Sequence, residues 1–250
     1  MKFSKFFLQI PLLILCCGGT YFSLKAQDGH DTKLAFSQTA KPLQVGQGYV
    51  HTTDGLLYIA EVGVTPFLSL GVGTVLGDLD GSRNDKGFFY GGGLRAKLAF
   101  PLGKKWYIGL SGSALRTFSG EYTSSEMVYI AMGKVTGDFK KIQLTLGGGL
   151  VKDFHLSYKT TKPIPIFTTG MIIPLARKFY FVSEIQMVLF EAEYRDPAYA
   201  LQTAFLVRKG WKRFSFELGG ASYHIDDGDG AFFDILPQVG ISFHFKKGKK

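Results

Sequence analysis

Apolar and polar residues alternate with a period of two along most of the chain beyond residue 43, the signature of strands with one apolar face and one polar face. Within 179–191, Phe179, Phe181, Ile185, Met187 and Leu189 fall on one side, with Glu184 and Gln186 on the other. Ile235, Val239, Ile241, Phe243 and Phe245 oppose Asp234, Gln238, Ser242 and His244, and Trp106, Ile108 and Leu110 oppose Tyr107, Ser111 and Ser113. About twelve strands follow from this pattern and its turn signals, over 44–51, 56–64, 67–77, 88–100, 105–118, 126–136, 140–153, 164–174, 179–191, 198–208, 212–224 and 232–245.

The connections alternate in length. Thr65-Pro66, Pro101 to Lys104, Gly137-Asp138-Phe139, Ala176-Arg177-Lys178 and Lys209-Gly210-Trp211 read as tight turns, whereas Gly77 to Gly87 and Ile225 to Gly230 read as long polar loops. Short turns at one end and long loops at the other characterise transmembrane β-barrels, with the short turns periplasmic. Aromatic residues supply an independent sign. Phe88 and Phe89 with Phe100, Trp106 with Phe118, Phe179 with Phe190, Tyr199 with Trp211, and Phe232 and Phe233 with Phe243 and Phe245 recur near opposite strand ends. Roughly 11 residues at about 3.4 Å each, tilted near 45°, cover about 25 Å, the height of a barrel's apolar band. The expected fold is therefore an all-β, antiparallel up-and-down transmembrane barrel over 44–245, in the outer membrane of a Gram-negative bacterium. A soluble barrel with core aromatics is the architectural rival.

The N-terminus changes the picture of what matures. Lys2 and Lys5 precede an apolar run from Phe6 to Cys17 that is too short to span a bilayer but fits a secretory h-region of roughly 7 to 15 residues. Residues 1–27 read as a cleaved signal peptide, and 28–43 as a mobile periplasmic lead-in. Both cysteines, Cys16 and Cys17, lie in the signal, so disulfide staples and cysteine metal sites are excluded from the mature chain. Net charge is +9, but Lys2, Lys5 and Lys25 leave with the signal and Lys246, Lys247, Lys249 and Lys250 form a basic tail over 246–250. A body near +2 offers no nucleic-acid groove. Gly 32, Tyr 12 and Phe 23 fit strands and tight turns rather than helices.

Six short stretches carry a resemblance. Thr39-Ala40-Lys41-Pro42-Leu43, then Gly46-Gln47-Gly48-Tyr49, then Glu61-Val62-Gly63-Val64-Thr65 and Ser69-Leu70-Gly71-Val72-Gly73 resemble an uncharacterised family of outer-membrane barrel proteins of the Bacteroidetes. Ile172-Ile173-Pro174-Leu175 and Phe181-Val182-Ser183-Glu184 are similar to a later hairpin of that family. The resemblance implies the barrel fold and no established activity. The terminal Ile241-Ser242-Phe243-His244-Phe245 looks like the aromatic-ended strand received by the barrel assembly machinery, the expected partner in biogenesis, with outer-membrane lipid as the permanent one.

Strand parity places Glu61, Arg95, Lys97, Lys134, Glu184 and Glu217 on the lumen face, in the periplasmic half of their strands. Three acids and three bases could form a salt-bridge layer that narrows or plugs the barrel, or a charged constriction that sorts small solutes. An enzyme is disfavoured: only Ser222 and His224 with Asp226 or Asp227 suggest a hydrolytic set, and Ser222, His224 and Asp226 share a strand face, where residues two apart are roughly 7 Å apart, too far for an activating hydrogen bond. Asp78 to Asp85 and Asp226 to Asp229 alternate oxygen ligands without completing a calcium loop, and the histidines are scattered, so neither metal nor cofactor is expected. Gly91-Gly92-Gly93 and Gly147-Gly148-Gly149 read as sites of close packing or curvature. A small-solute channel, or a closed barrel acting through its external loops, remain the two leading functions.

Overall fold

The computed structural model describes residues 38–53, 57–80, 86–119, 125–139, 142–155, 163–191, 197–211, 213–226 and 231–246; the expected signal peptide lies outside them. Twelve strands follow in order: β1 Gln47–Thr53, β2 Leu57–Gly63, β3 Leu68–Asp80, β4 Lys86–Leu102, β5 Trp106–Ser119, β6 Ser125–Phe139, β7 Ile142–His155, β8 Ile164–Ala176, β9 Phe179–Glu191, β10 Pro197–Gly210, β11 Phe214–Asp226 and β12 Ala231–Lys246. Each pairs antiparallel with its sequence neighbours, and β1 closes on β12 from Gln47↔Lys246 to Thr53↔Gly240. Closure leaves no sheet edge, so every ladder finds partners without help from water.

Strand edges differ from the sequence pattern in an instructive way. β3 runs on to Asp80 and β4 begins at Lys86, so most of the expected loop 77–87 continues the ladder, pairing Asp78 with Phe88. Gly137-Asp138-Phe139, expected as a turn, completes β6, and Phe139 pairs with Ile142 across a two-residue connection. Turn-forming residue types had marked both places, but hairpin pairing outweighs their weak local preference. The alternation of lengths persists. The start of β1 and the end of β12 lie at one rim, the turn end, whose five connections have two to four residues, and the six at the loop end have three to eight. At Pro174, which has no N–H to donate, the β8–β9 register slips by one residue before Ala176.

Burial is inverted relative to a soluble protein. Outward positions are apolar and open: Leu94 is 68% exposed, Leu146 65% and Ile235 63%. Inward positions toward the turn end are mostly polar and closed, with Glu184, Arg208 and Thr136 at 0%. A soluble barrel would place its apolar residues inside, so this arrangement removes that rival; the bare apolar surface requires lipid. Rings border it at both ends. Phe67 stacks on Phe100 (5.2 Å) and Trp106 meets Phe139 edge-on (5.6 Å) at the turn end, while Tyr90 stacks on Phe118 (5.1 Å) at the loop end. Leu94 lies six residues from Phe100, close to mid-height. Leu94→Arg is expected to lower the stability of the lipid-folded barrel by about 2–4 kcal/mol, read by denaturant titration in vesicles; a change within error would mean that this face does not meet lipid.

The glycine triplets permit close approach, as their spacing suggested. A Cβ on Gly149 would collide with the Ala131 carbonyl, and one on Gly93 with that of Ala114. Above the charged inward positions, on the loop side, Val128, Ile130, Met132, Val151, Ile166, Val188 and Ala200 form a packed apolar wall over β6–β10. The facing wall of β3–β5 is small and partly open, with Gly71, Gly73, Gly93, Ser111 and Ser113 half-buried.

Candidate functional site

All six lumen candidates point inward and are buried: Glu61, Arg95, Lys97, Lys134, Glu184 and Glu217 range from 0 to 9% exposed. Inward parity is fixed by pairing, since Glu61 lies opposite Gly71, Gly71 opposite Arg95, and Arg95 opposite Ser113. Burying charged groups without partners is costly, so their surroundings determine what the layer is. Glu184 Oε1 accepts from Thr168 Oγ1 (3.0 Å) and Gln186 Nε2 (3.1 Å). Glu217 Oε1 accepts from Arg208 Nε at 2.9 Å, an ion pair whose two side chains are 1% and 2% exposed. Arg208 escaped the sequence reading because it fell at the edge of its expected strand. Its parity with Gln202, Ala204 and Leu206 against exposed Phe205 and Val207 was the available signal.

The larger surprise is what the lysines hold. Gln38 to Leu43, expected to belong to a mobile periplasmic lead-in, lies inside the turn-end mouth of the barrel, with Gln38, Thr39, Ala40, Lys41 and Leu43 all buried. Lys97 Nζ donates to the Lys41 carbonyl and Lys134 Nζ to the Gln38 carbonyl, both at 2.9 Å. The Ala40 N–H donates to Thr136 Oγ1 (2.7 Å), Gln38 Nε2 to Glu61 Oε2 (2.9 Å), and Lys41 Nζ to Asp138 Oδ2 (2.8 Å). The segment has too few residues to form secondary structure of its own, so its backbone polar groups take partners from the wall. Hydrogen bonds with one charged partner are the stronger kind, and two of the five anchors use an ammonium on a main-chain carbonyl. Gly46, at φ 69°, then turns the chain into β1.

Between the segment and the wall is a cavity of about 10 Å³, bordered by Ala40, Arg95, Lys97, Ser111 and Lys134. It has room for about one water. On the other side of the mouth, His51 contacts Ser242 and Thr53 (both 2.7 Å). The six inward groups are thus buried, and two of the bases, Lys97 and Lys134, fasten an inserted segment.

The remaining chemical candidates lie elsewhere. Ser222 and His224 are on the outward face, where Ser222 Oγ meets Thr203 Oγ1 (2.5 Å) and His224 stacks on Tyr199 with its Nε2 3.3 Å from the phenol oxygen. These contacts separate the pair and place the histidine in the loop-end ring belt. Asp78 and Asp80 belong to β3, while 81–85 and 227–230 lie outside the described residues. Among the described residues no group of three histidines or carboxylates is placed to hold a metal.

A closed antiparallel barrel of twelve strands with an apolar outer face is the architecture of outer-membrane β-barrel proteins. In comparisons with solved structures the chain is similar to the KdgM porin, with a TM-score of 0.50, 9% identity, and coverage of 80% of this chain and 98% of that one. Matches were also found to the CymD monoaromatic hydrocarbon channel (TM-score 0.47, 9% identity, 82% and 90% covered) and to the translocator domain of the autotransporter NalP from Neisseria meningitidis (0.45, 12%, 80% and 86%). No protein-family model matches the chain, and no curated protein matches it by sequence.

Proposed function

We propose that this protein is a small-solute channel of the Gram-negative outer membrane, closed at its periplasmic mouth by its own segment Gln38–Leu43. The turn end faces the periplasm on this reading, and the chain is exported and placed by the barrel assembly machinery. It acts without catalysis, in a Bacteroidetes family of such barrels. One observation carries the proposal: the mouth is filled by a short stretch of chain held through hydrogen bonds, not by a packed apolar core. Twelve strands lie between the eight of side-chain-filled barrels and the sixteen or more of open porins, so removing a filler matters at this size. Solute would enter from the loop end along the small-residue wall of β3–β5 and meet the charged layer at Arg95, Lys97 and Glu184. Fixed charges of both signs in a narrow passage select by charge and size.

The test is planar-bilayer conductance of the refolded mature chain beside Arg95→Ala/Glu184→Ala. Openings whose ion preference shifts in the double variant support a pore through this layer. Well-inserted protein with no conductance in either case defeats it. The outcome would then favour a closed barrel working through its external loops, a reading to which the deep burial of the inward groups also lends support.

A further inference from the structure

The charge at the turn end is unused by the lumen. The five connections there contain eight lysines and arginines and no Asp or Glu, whereas the six at the loop end contain seven acids and four bases. Lys104 and Lys105 follow β4, Arg177 and Lys178 join β8 to β9, and Arg213 precedes β11; all five are exposed. Lys140, Lys141 and Lys212 extend the series in sequence and lie outside the described residues. Asp138, a carboxylate near this rim, is engaged by Lys41. Among the described residues of this rim the cations of the connections outnumber the carboxylates around about half the circumference, from the β4–β5 turn to the β10–β11 turn.

Its height is informative. The cations lie just beyond a belt of exposed rings, Trp106, Phe139, Trp211 and Phe214, of the kind that sits at headgroup level. Lys209 shows how the two layers join: its Nζ stands 3.6 Å from the Phe179 ring centre and 6.0 Å from that of Trp211, a cation lodged among interfacial rings. A ring of cations beyond an aromatic belt meets lipid phosphate before it meets anything else.

We infer that the basic turn rim is a binding surface for anionic phospholipid headgroups in the leaflet that the turn end faces. Each lysine or arginine near a negative lipid surface contributes on the order of a five-fold preference, and the effect weakens within a Debye length. Spin-labelled phosphatidylglycerol and phosphatidylcholine, compared by electron paramagnetic resonance on the refolded mature barrel in vesicles, measure that preference directly. The expected result is at least about five-fold enrichment of phosphatidylglycerol at the protein surface, declining as salt rises. Lys104→Gln, Lys105→Gln, Arg177→Gln, Lys178→Gln and Arg213→Gln combined should lower it at least several-fold, with heat-modifiable gel mobility confirming that this variant still forms the barrel. Lys159→Gln/Lys162→Gln at the loop end should leave it intact. Equal association of the two lipids with the wild-type barrel, or enrichment undiminished in the fivefold variant, would overturn the inference. Binding of an acidic polypeptide without any lipid preference would equally overturn it and make the rim a protein-docking surface.

Discussion

Ala40→Cys combined with Gly109→Cys should give a barrel that is shut when oxidised and that conducts when reduced. The Ala40 Cβ lies 3.4 Å from where a Cβ on Gly109 would stand, close to the separation a disulfide needs. Cys16 and Cys17, the chain's two cysteines, fall within the expected signal, so the engineered pair would have no competitor in the mature protein. The bond would join the middle of the inserted segment to β5. Withdrawal would then require breaking a covalent link in addition to the hydrogen bonds to Lys97, Lys134, Thr136, Glu61 and Asp138. In planar bilayers, reductant should raise the open fraction several-fold, and re-oxidation should reverse the change. Lys97→Ala/Lys134→Ala should move the wild-type chain in the same direction as reductant, since it removes the two ammonium-to-carbonyl anchors and leaves the strands paired. Equal conductance in the oxidised and reduced states would show that the segment does not gate the barrel.

Arg208→Ala should cost about 3–5 kcal/mol of barrel stability, because it leaves the Glu217 carboxylate buried without its guanidinium. The pair sits two residues from the turn end of β10, where Arg208 is 0% exposed, so water cannot easily replace the lost partner. Removing both charges should be milder. A cycle of Arg208→Ala, Glu217→Ala and the double variant, followed by urea unfolding in vesicles, should give a coupling energy well above the 0.2–1 kcal/mol typical of exposed pairs. A coupling near the exposed value would mean that this level of the lumen is hydrated. That result would move the narrow part of the pore away from Arg208 and Glu217 towards Arg95 and Lys134.

The two expectations depend on features that differed in how far they could be read from sequence. Period-two alternation sorted Phe179, Ile185 and Leu189 from Glu184 and Gln186, because pleat geometry ties sequence parity to sheet face wherever a strand is regular. Lipid on one side and a polar lumen on the other keep that pattern strict. The same logic placed Glu61, Arg95, Lys97, Lys134 and Glu217 inward, and hydrophobic rings spaced to the apolar band marked the strand ends. Strand limits such as Asp80 and Phe139 were decided by pairing across the hairpin, which can extend a ladder through residues whose local preference is for a turn. Arg208 was legible in principle by parity and was lost at a misplaced strand edge. The place of Gln38–Leu43 was not legible at all. Its six residues have no periodicity, and their burial depends on a mouth that exists only once β1 has closed on β12, with donors and acceptors contributed by β2, β4 and β6 from up to 97 residues away. Sequence by itself determined which face of each strand meets lipid, since that is a local consequence of strand geometry. Only the tertiary structure decided what fills the lumen, since that depends on the space left when all twelve strands have met.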